Sequence, residues 1–179
     1  VIKVYYVKDD SQTHKVSYHV EYYKDGVHAD TDAAVSATGW IGEATTVTVN
    51  TAAINTTDKY VGYKLDKTEP GTIPANYTVA ANAGSGEENV IKVYYVKDGN
   101  QTQPTKYTVR YTINGAEKES FDVTGTAWIN DSPAMIAIAA DGIPAPEDKF
   151  QGYKLDPANP TYPAPGTQVK SGSVYTVNY

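Results

Sequence analysis

Apolar and polar positions alternate along much of this chain. Tyr18, Val20 and Tyr22 alternate with His19 and Glu21, and Tyr107, Val109 and Tyr111 alternate with Thr108 and Arg110. A period of two places each apolar set on one face of a strand, with the residues between them on the other. Both runs end in a turn signal, Asp25-Gly26 and Asn114-Gly115, dipeptides suited to the positive-φ positions of a tight hairpin. A second strand is expected near Ala33–Ala37 and Phe121–Gly125. Thr46–Val49 and Ala134–Ile138 read as short stretches that are either extended or helical. Tyr60–Leu65 and Phe150–Leu155 predict a further strand, with Pro- and Gly-bearing loops after it around Glu69–Pro74 and Asn159–Gly166. Val90–Val96 and Val174–Tyr179 read as closing strands, with Ile91, Val93 and Tyr95 sharing a face, as do Tyr175, Val177 and Tyr179.

The same pattern therefore occurs twice. The string VIKVYYVKD stands at Val1–Asp9 and again, identical, 89 positions later at Val90–Asp98. GYKLD stands at Gly62–Asp66 and at Gly152–Asp156, and Trp40-Ile41 matches Trp128-Ile129. Between the copies the apolar strand positions are kept, while His19 and Glu21 become Thr108 and Arg110. A core face and a solvent face explain this most simply. The phase of the repeat has two solutions. If VIKVYYVKD opens a module, the modules are 1–89 and 90–179. If it closes one, residues 1–9 are the trailing strand of an upstream repeat, 15–98 is the first module, 99–105 a linker and 106–179 the second module. The polar stretches Asp10–His14 and Gly99–Thr105, which directly follow the string, favour the closing phase. The expected fold class is mostly β, a β-grasp-like or related small module with room for a short helix, in two tandem modules arranged end to end.

Composition narrows the function. The chain has no cysteine, which leaves no disulfide framework and no thiolate metal site. A net charge of −6 opposes docking on phosphate backbones, so nucleic acid is not an expected partner. No apolar stretch approaches the roughly 20 residues that span a bilayer. No signal peptide, anchor or initiator Met is present, so the chain reads as an internal excerpt. Tyr occurs 16 times against 2 Phe, which suits a half-buried pleated surface.

The Y-x-V-x-Y strand, the D/N-G hairpin, the T-x-x-W-I or G-W-I-G segment, G-Y-K-L, and the I-K-V-Y-Y or Y-T-V-N-Y closing strand together resemble the mucin-binding-protein-type (MucBP-like) repeats of Gram-positive cell-surface adhesins. The likeness covers both copies. It implies a small mostly-β unit strung in series on a wall-anchored protein, an extracellular location with anchoring outside this segment, and contact with host glycoproteins. The stretch carrying Trp40 and Trp128 is longer than in the common short version, and no family binding residue is carried over.

Candidate chemistry is sparse. His14, His19 and His28 all lie in the first copy, and His19 matches the solvent-face Thr108, so they read as surface histidines rather than as a triad or zinc site. Asp9-Asp10 and the Asp30/Asp32 pair lack the spacing of a calcium loop, and Lys118-Glu119-Ser120 stands near the place of Asp30–Asp32. Trp40 and Trp128 fit either a core anchor, the favoured reading, or a sugar platform. Tyr94 should face outward if Tyr95 faces inward, and Tyr5 and Tyr6 pose the same question. Lys15, Lys106, Lys64 and Lys154, with Asp66 and Asp156, recur in both copies as candidates for an intramolecular isopeptide bond. No catalytic, cofactor or metal residue is assigned and no cofactor is expected. The expected function is a non-catalytic tandem-repeat segment of a bacterial adhesin that binds host glycoprotein, mucin or matrix. The alternatives are a stalk or spacer repeat and an accessory domain of a secreted enzyme.

Overall fold

The structure, a computed structural model, describes residues 1–54, 59–71, 73, 78–80 and 89–179. The chain divides into two compact units, Val1–Asp98 and Gly99–Tyr179. Both are built of strands, in agreement with the mostly-β expectation.

In the first unit the elements are β1 (Thr13–Lys24), β2 (Val27–Thr31), β3 (Val35–Trp40), β4 (Thr46–Thr48), a single helical turn α1 (Thr51–Ile54), β5 (Tyr63–Glu69), β6 (Thr78–Ala80) and β7 (Asn89–Lys97). The main sheet runs β2-β1-β7-β5, and β3 pairs with the first half of β1. β1 and β7 are parallel neighbours, with Val20 opposite Ile91 and Tyr22 opposite Val93. Parallel neighbours need a long crossover, and the chain from β2 to β6 supplies it. Alternation then does what the sequence predicts. Val16, Tyr18, Val20 and Tyr22 of β1 and Ile91, Val93 and Tyr95 of β7 fill one face, closed over by Val47, Val49, Ile54, Ile73 and Val79.

The second unit repeats this plan with β8 (Thr102–Ile113), β9 (Ala116–Trp128), β10 (Met135–Ala137), β11 (Gln168–Lys170) and β12 (Val174–Asn178). Its main sheet runs β12-β8-β9, again with the first and last strands parallel. Tyr107, Val109, Tyr111, Ile113, Ile136, Ile138, Val177 and Tyr179 form its core. Both hairpins turn as expected: Asp25 and Gly26 have φ of 48° and 80°, and Asn114 and Gly115 have φ of 50° and 81°. Positive φ at both central residues matches the right-handed strand twist.

One open alternative closes and two expectations change. Thr46–Val49 and Ala134–Ile138 resolve as extended stretches around β4 and β10. Tyr60–Leu65 is a strand only from Tyr63, and it continues to Glu69. Phe150–Leu155 forms no strand. After Asp156 the second copy carries Pro157, Pro160, Pro163 and Pro165, which have no N–H for a ladder. The Asn159 amide substitutes: its Oδ1 accepts the Asn178 N–H at 2.8 Å and its Nδ2 donates to the Asn178 carbonyl at 3.0 Å. Of the expected loop Glu69–Pro74, Thr72 and Pro74 lie outside the described residues.

Candidate functional site

The outward face of the first unit's sheet carries the densest chemistry. With Tyr22 and Tyr95 in the core, Tyr23 and Tyr94 fall on the opposite side, and they are direct partners across the β1–β7 ladder. The register adds His28 opposite Tyr23 and Lys67 opposite Tyr94. One residue from each of four adjacent strands thus forms a row, His28–Tyr23–Tyr94–Lys67. Neighbouring strands lie about 4.8 Å apart, close to a ring-stacking distance. The two tyrosine rings stack, with centroids 5.0 Å apart and planes 23° from parallel. His28 meets Tyr23 edge-on at 5.5 Å, and the Lys67 ammonium lies 4.6 Å from the Tyr94 ring centre.

A charged row runs alongside, with Glu21 opposite Lys92 and Lys92 opposite Glu69. The rows are tied together. The Tyr23 hydroxyl donates to Glu21 at 2.7 Å and the Tyr94 hydroxyl to Glu69 at 3.1 Å. Lys67 donates to Glu69 at 2.9 Å. The Tyr23 hydrogen bond holds Glu21 below the usual carboxylate range, and the Lys67 hydrogen bond does the same for Glu69. In return, the bond to Glu21 pushes the Tyr23 phenol up to about 12. These two lysines and two ionised glutamates balance in charge. Because the ring faces turn toward each other, the surface offers ring edges, phenol oxygens, carboxylates and ammonium groups. Such a surface can exchange hydrogen bonds with a hydroxyl-rich ligand; it presents no activated nucleophile. The second unit has a different face. Thr112 and Asn178 replace the tyrosine pair and share a 2.6 Å hydrogen bond, and Arg110 pairs with Glu117 at 3.0 Å.

A second constellation recurs in both units. The Lys59 ammonium lies 3.7 Å from the Tyr22 ring centre and pairs with Asp30 at 3.4 Å and Asp32 at 3.8 Å. Lys149 lies 4.1 Å from the Tyr111 ring centre and pairs with Glu119. Each lysine caps a core tyrosine while a carboxylate holds its charge, so Asp30 and Asp32 serve as ion-pair partners.

The residues singled out from sequence disperse. His14 stands opposite Gly39, His19 opposite Val90 and His28 opposite Tyr23, so the three do not converge. Among the described residues no three His, Asp or Glu are grouped to hold a metal ion. Lys15, Lys64 and Lys154 are exposed, and Lys106 forms an exposed ion pair with Asp122 at 2.7 Å. Tyr94 is outward and Tyr95 buried, whereas Tyr5 and Tyr6 stand in solvent. Trp40 and Trp128 are half-buried at the ends of β3 and β9, outside both core clusters. Sequence reasoning missed Tyr23, Lys67, Lys92 and Glu69, because their meeting depends on the strand order. It also missed Lys59 and Lys149, although the shared lysine-aromatic step before G-Y-K-L-D was a signal for them.

No family model matches the chain. No curated protein matches it. Among solved structures it is similar to the type 2 repeat of the mucus binding protein MUB from Lactobacillus reuteri, at 18% identity and a TM-score of 0.31, over 92% of this chain and 98% of that one. No helix among the described residues is long and apolar enough to cross a membrane.

Proposed function

We propose that the chain is a non-catalytic tandem-repeat segment of a bacterial cell-surface adhesin, and that the outward Tyr23–Tyr94 face of its first unit meets host glycoprotein or mucin. Its place is extracellular, with anchoring to the cell wall through regions outside this segment. One observation carries the reading. The two units keep the same core rows, yet the matching positions on the other side of the sheet differ: a stacked, charge-flanked and partly exposed tyrosine pair in one, and a Thr112–Asn178 pair with Thr112 buried in the other. A constant scaffold with a changing face suits partner contact. Hydroxyl-rich glycans suit the carboxylate, phenol and ammonium groups on that face. The test is binding of the two-unit protein to mucin and to a glycan array, with a Tyr23→Ala/Tyr94→Ala variant as control. The variant should bind on the order of tenfold more weakly, equivalent to about 1.4 kcal/mol. Equal binding by the variant would move the contact elsewhere.

A spacer role is the second reading, and a specific feature favours it. The rings of Tyr23 and Tyr94 stack on each other and their hydroxyls are already bonded, so the row stiffens the sheet without a ligand. Silence on every mucin and glycan surface would select that reading.

A further inference from the structure

Trp40 touches something that neither a core anchor nor a sugar platform explains. It is the last residue of β3 and stands opposite Thr13, the first residue of β1. Its indole Nε1–H reaches back past the start of the sheet and donates to the Asp9 carbonyl at 3.0 Å. The same carbonyl accepts the Gln12 N–H at 3.2 Å, which closes a tight turn. Asp9 also braces that turn with its carboxylate, which accepts the Ser11 N–H at 3.0 Å, the Ser11 hydroxyl at 2.6 Å and the Gln12 side-chain amide at 3.1 Å. An aspartate bonding the backbone two residues on is a standard way to fix a turn. Lys8 completes the arrangement. Its ammonium sits 5.0 Å from the Trp40 ring centre, with Asp10 at 3.2 Å and Glu43 at 3.9 Å.

The ring is boxed in from behind as well. A β-carbon at position 42 would come within 2.1 Å of the indole, so Gly42 is what lets the ring lie where it does. Just beyond, the Ile41 N–H bonds the Gln12 carbonyl at 3.0 Å, and the Ile129 N–H bonds the Gln101 carbonyl at 2.9 Å at the matching place in the second unit. The β1–β3 ladder therefore extends into the turn that the indole holds.

We propose that Trp40 is a positioning residue that clamps the turn Asp9–Gln12, and so fixes the direction in which the preceding segment Val1–Lys8 leaves the unit. That segment forms no strand and its apolar side chains are exposed, so the clamp at its end is what orients it.

The absence of native cysteine makes the test direct. A nitroxide attached at Tyr5→Cys reports the motion of the segment, and calorimetry reports the unit's melting. Trp40→Phe keeps a ring but removes the N–H donor. It should raise the label's mobility several-fold while leaving the melting temperature of the first unit nearly unchanged. Gly42→Ala, which displaces the indole, should give the same loosening. Unchanged mobility in both variants would overturn the clamp. So would a Trp40→Phe protein whose first unit no longer melts cooperatively, because the indole would then be part of the core.

Discussion

At the scale of single residues, the question is why this core uses tyrosine where most use leucine or phenylalanine. The answer lies at the far end of the ring. Tyr18 and Tyr107 are buried, and their hydroxyls accept the backbone N–H of Asn50 at 3.0 Å and of Ala139 at 3.1 Å. The Tyr111 hydroxyl donates to the Pro144 carbonyl at 2.9 Å, and Tyr22 to Asp32 at 2.5 Å. Each ring fills the core while its hydroxyl ties down a neighbouring segment, through backbone groups for Tyr18, Tyr107 and Tyr111 and through the Asp32 carboxylate for Tyr22. Tyr107→Phe keeps the apolar volume but removes the acceptor for the Ala139 N–H. It should destabilise the second unit by about 1–3 kcal/mol, read from denaturant titration. The same chemistry gives an alkaline prediction. Tyr23 is pushed to about 12 by its bond to Glu21, and Tyr60 to about 12, chiefly by burial. An unfolded tyrosine titrates near 10. The unfolded chain therefore loses these protons first, so their contribution is intact below about pH 10 and is lost as pH rises towards about 12. Absorbance of the phenolate should show a late-titrating set in the folded protein, and Glu21→Gln should return Tyr23 towards the ordinary value.

At the scale of elements, strands with a clear period of two were legible and pairings were not. Tyr18, Val20 and Tyr22 declare their buried face in the sequence, and the hairpins at Asp25-Gly26 and Asn114-Gly115 declare their turn type. The outward row did not declare itself, because His28, Tyr23, Tyr94 and Lys67 come from four strands, and only the order β2-β1-β7-β5 brings them together. The strand expected at Phe150–Leu155 failed for a related reason. GYKLD is identical in both copies, so what differs is the context that follows: Lys67-Thr68-Glu69 continues a ladder against β7, and Pro157-Ala158-Asn159 does not. Asn159 carries part of that missing ladder through its side chain, with two hydrogen bonds to the Asn178 backbone. Asn159→Ala removes both and should destabilise the second unit by about 1–2 kcal/mol. Glu69→Ala on the matching stretch of β5 acts only at the surface. It should change the first unit's stability by no more than about 0.5 kcal/mol, and paired denaturant curves would separate the two effects.

At the scale of the whole molecule, the duplicated string VIKVYYVKD tests how far sequence alone determines structure. As β7 it lies between β1 and β5, with Val93 and Tyr95 fully buried. At Val1–Asp9 the identical residues form no strand, and Val4 is 68% exposed. The difference is the partner. β7 reaches a parallel neighbour through the long crossover from β2 to β6, whereas only Asp10-Ser11-Gln12 separate the first string from β1. A parallel pairing needs a connection of a dozen residues or more, so the first string cannot take the parallel place beside β1 that β7 holds. This physical limit keeps the first string out of the place that its copy holds as β7. It also yields a matched pair of substitutions. Val93→Asp puts a charge among Tyr22, Ile91 and Tyr95 and should abolish cooperative melting of the first unit. Val4→Asp, the same change in the same local sequence, should shift its stability by no more than about 0.5 kcal/mol. Calorimetry of the two proteins decides the phase. A large loss in Val4→Asp would mean that the first string packs into the unit it precedes, and the boundary would move to residue 1.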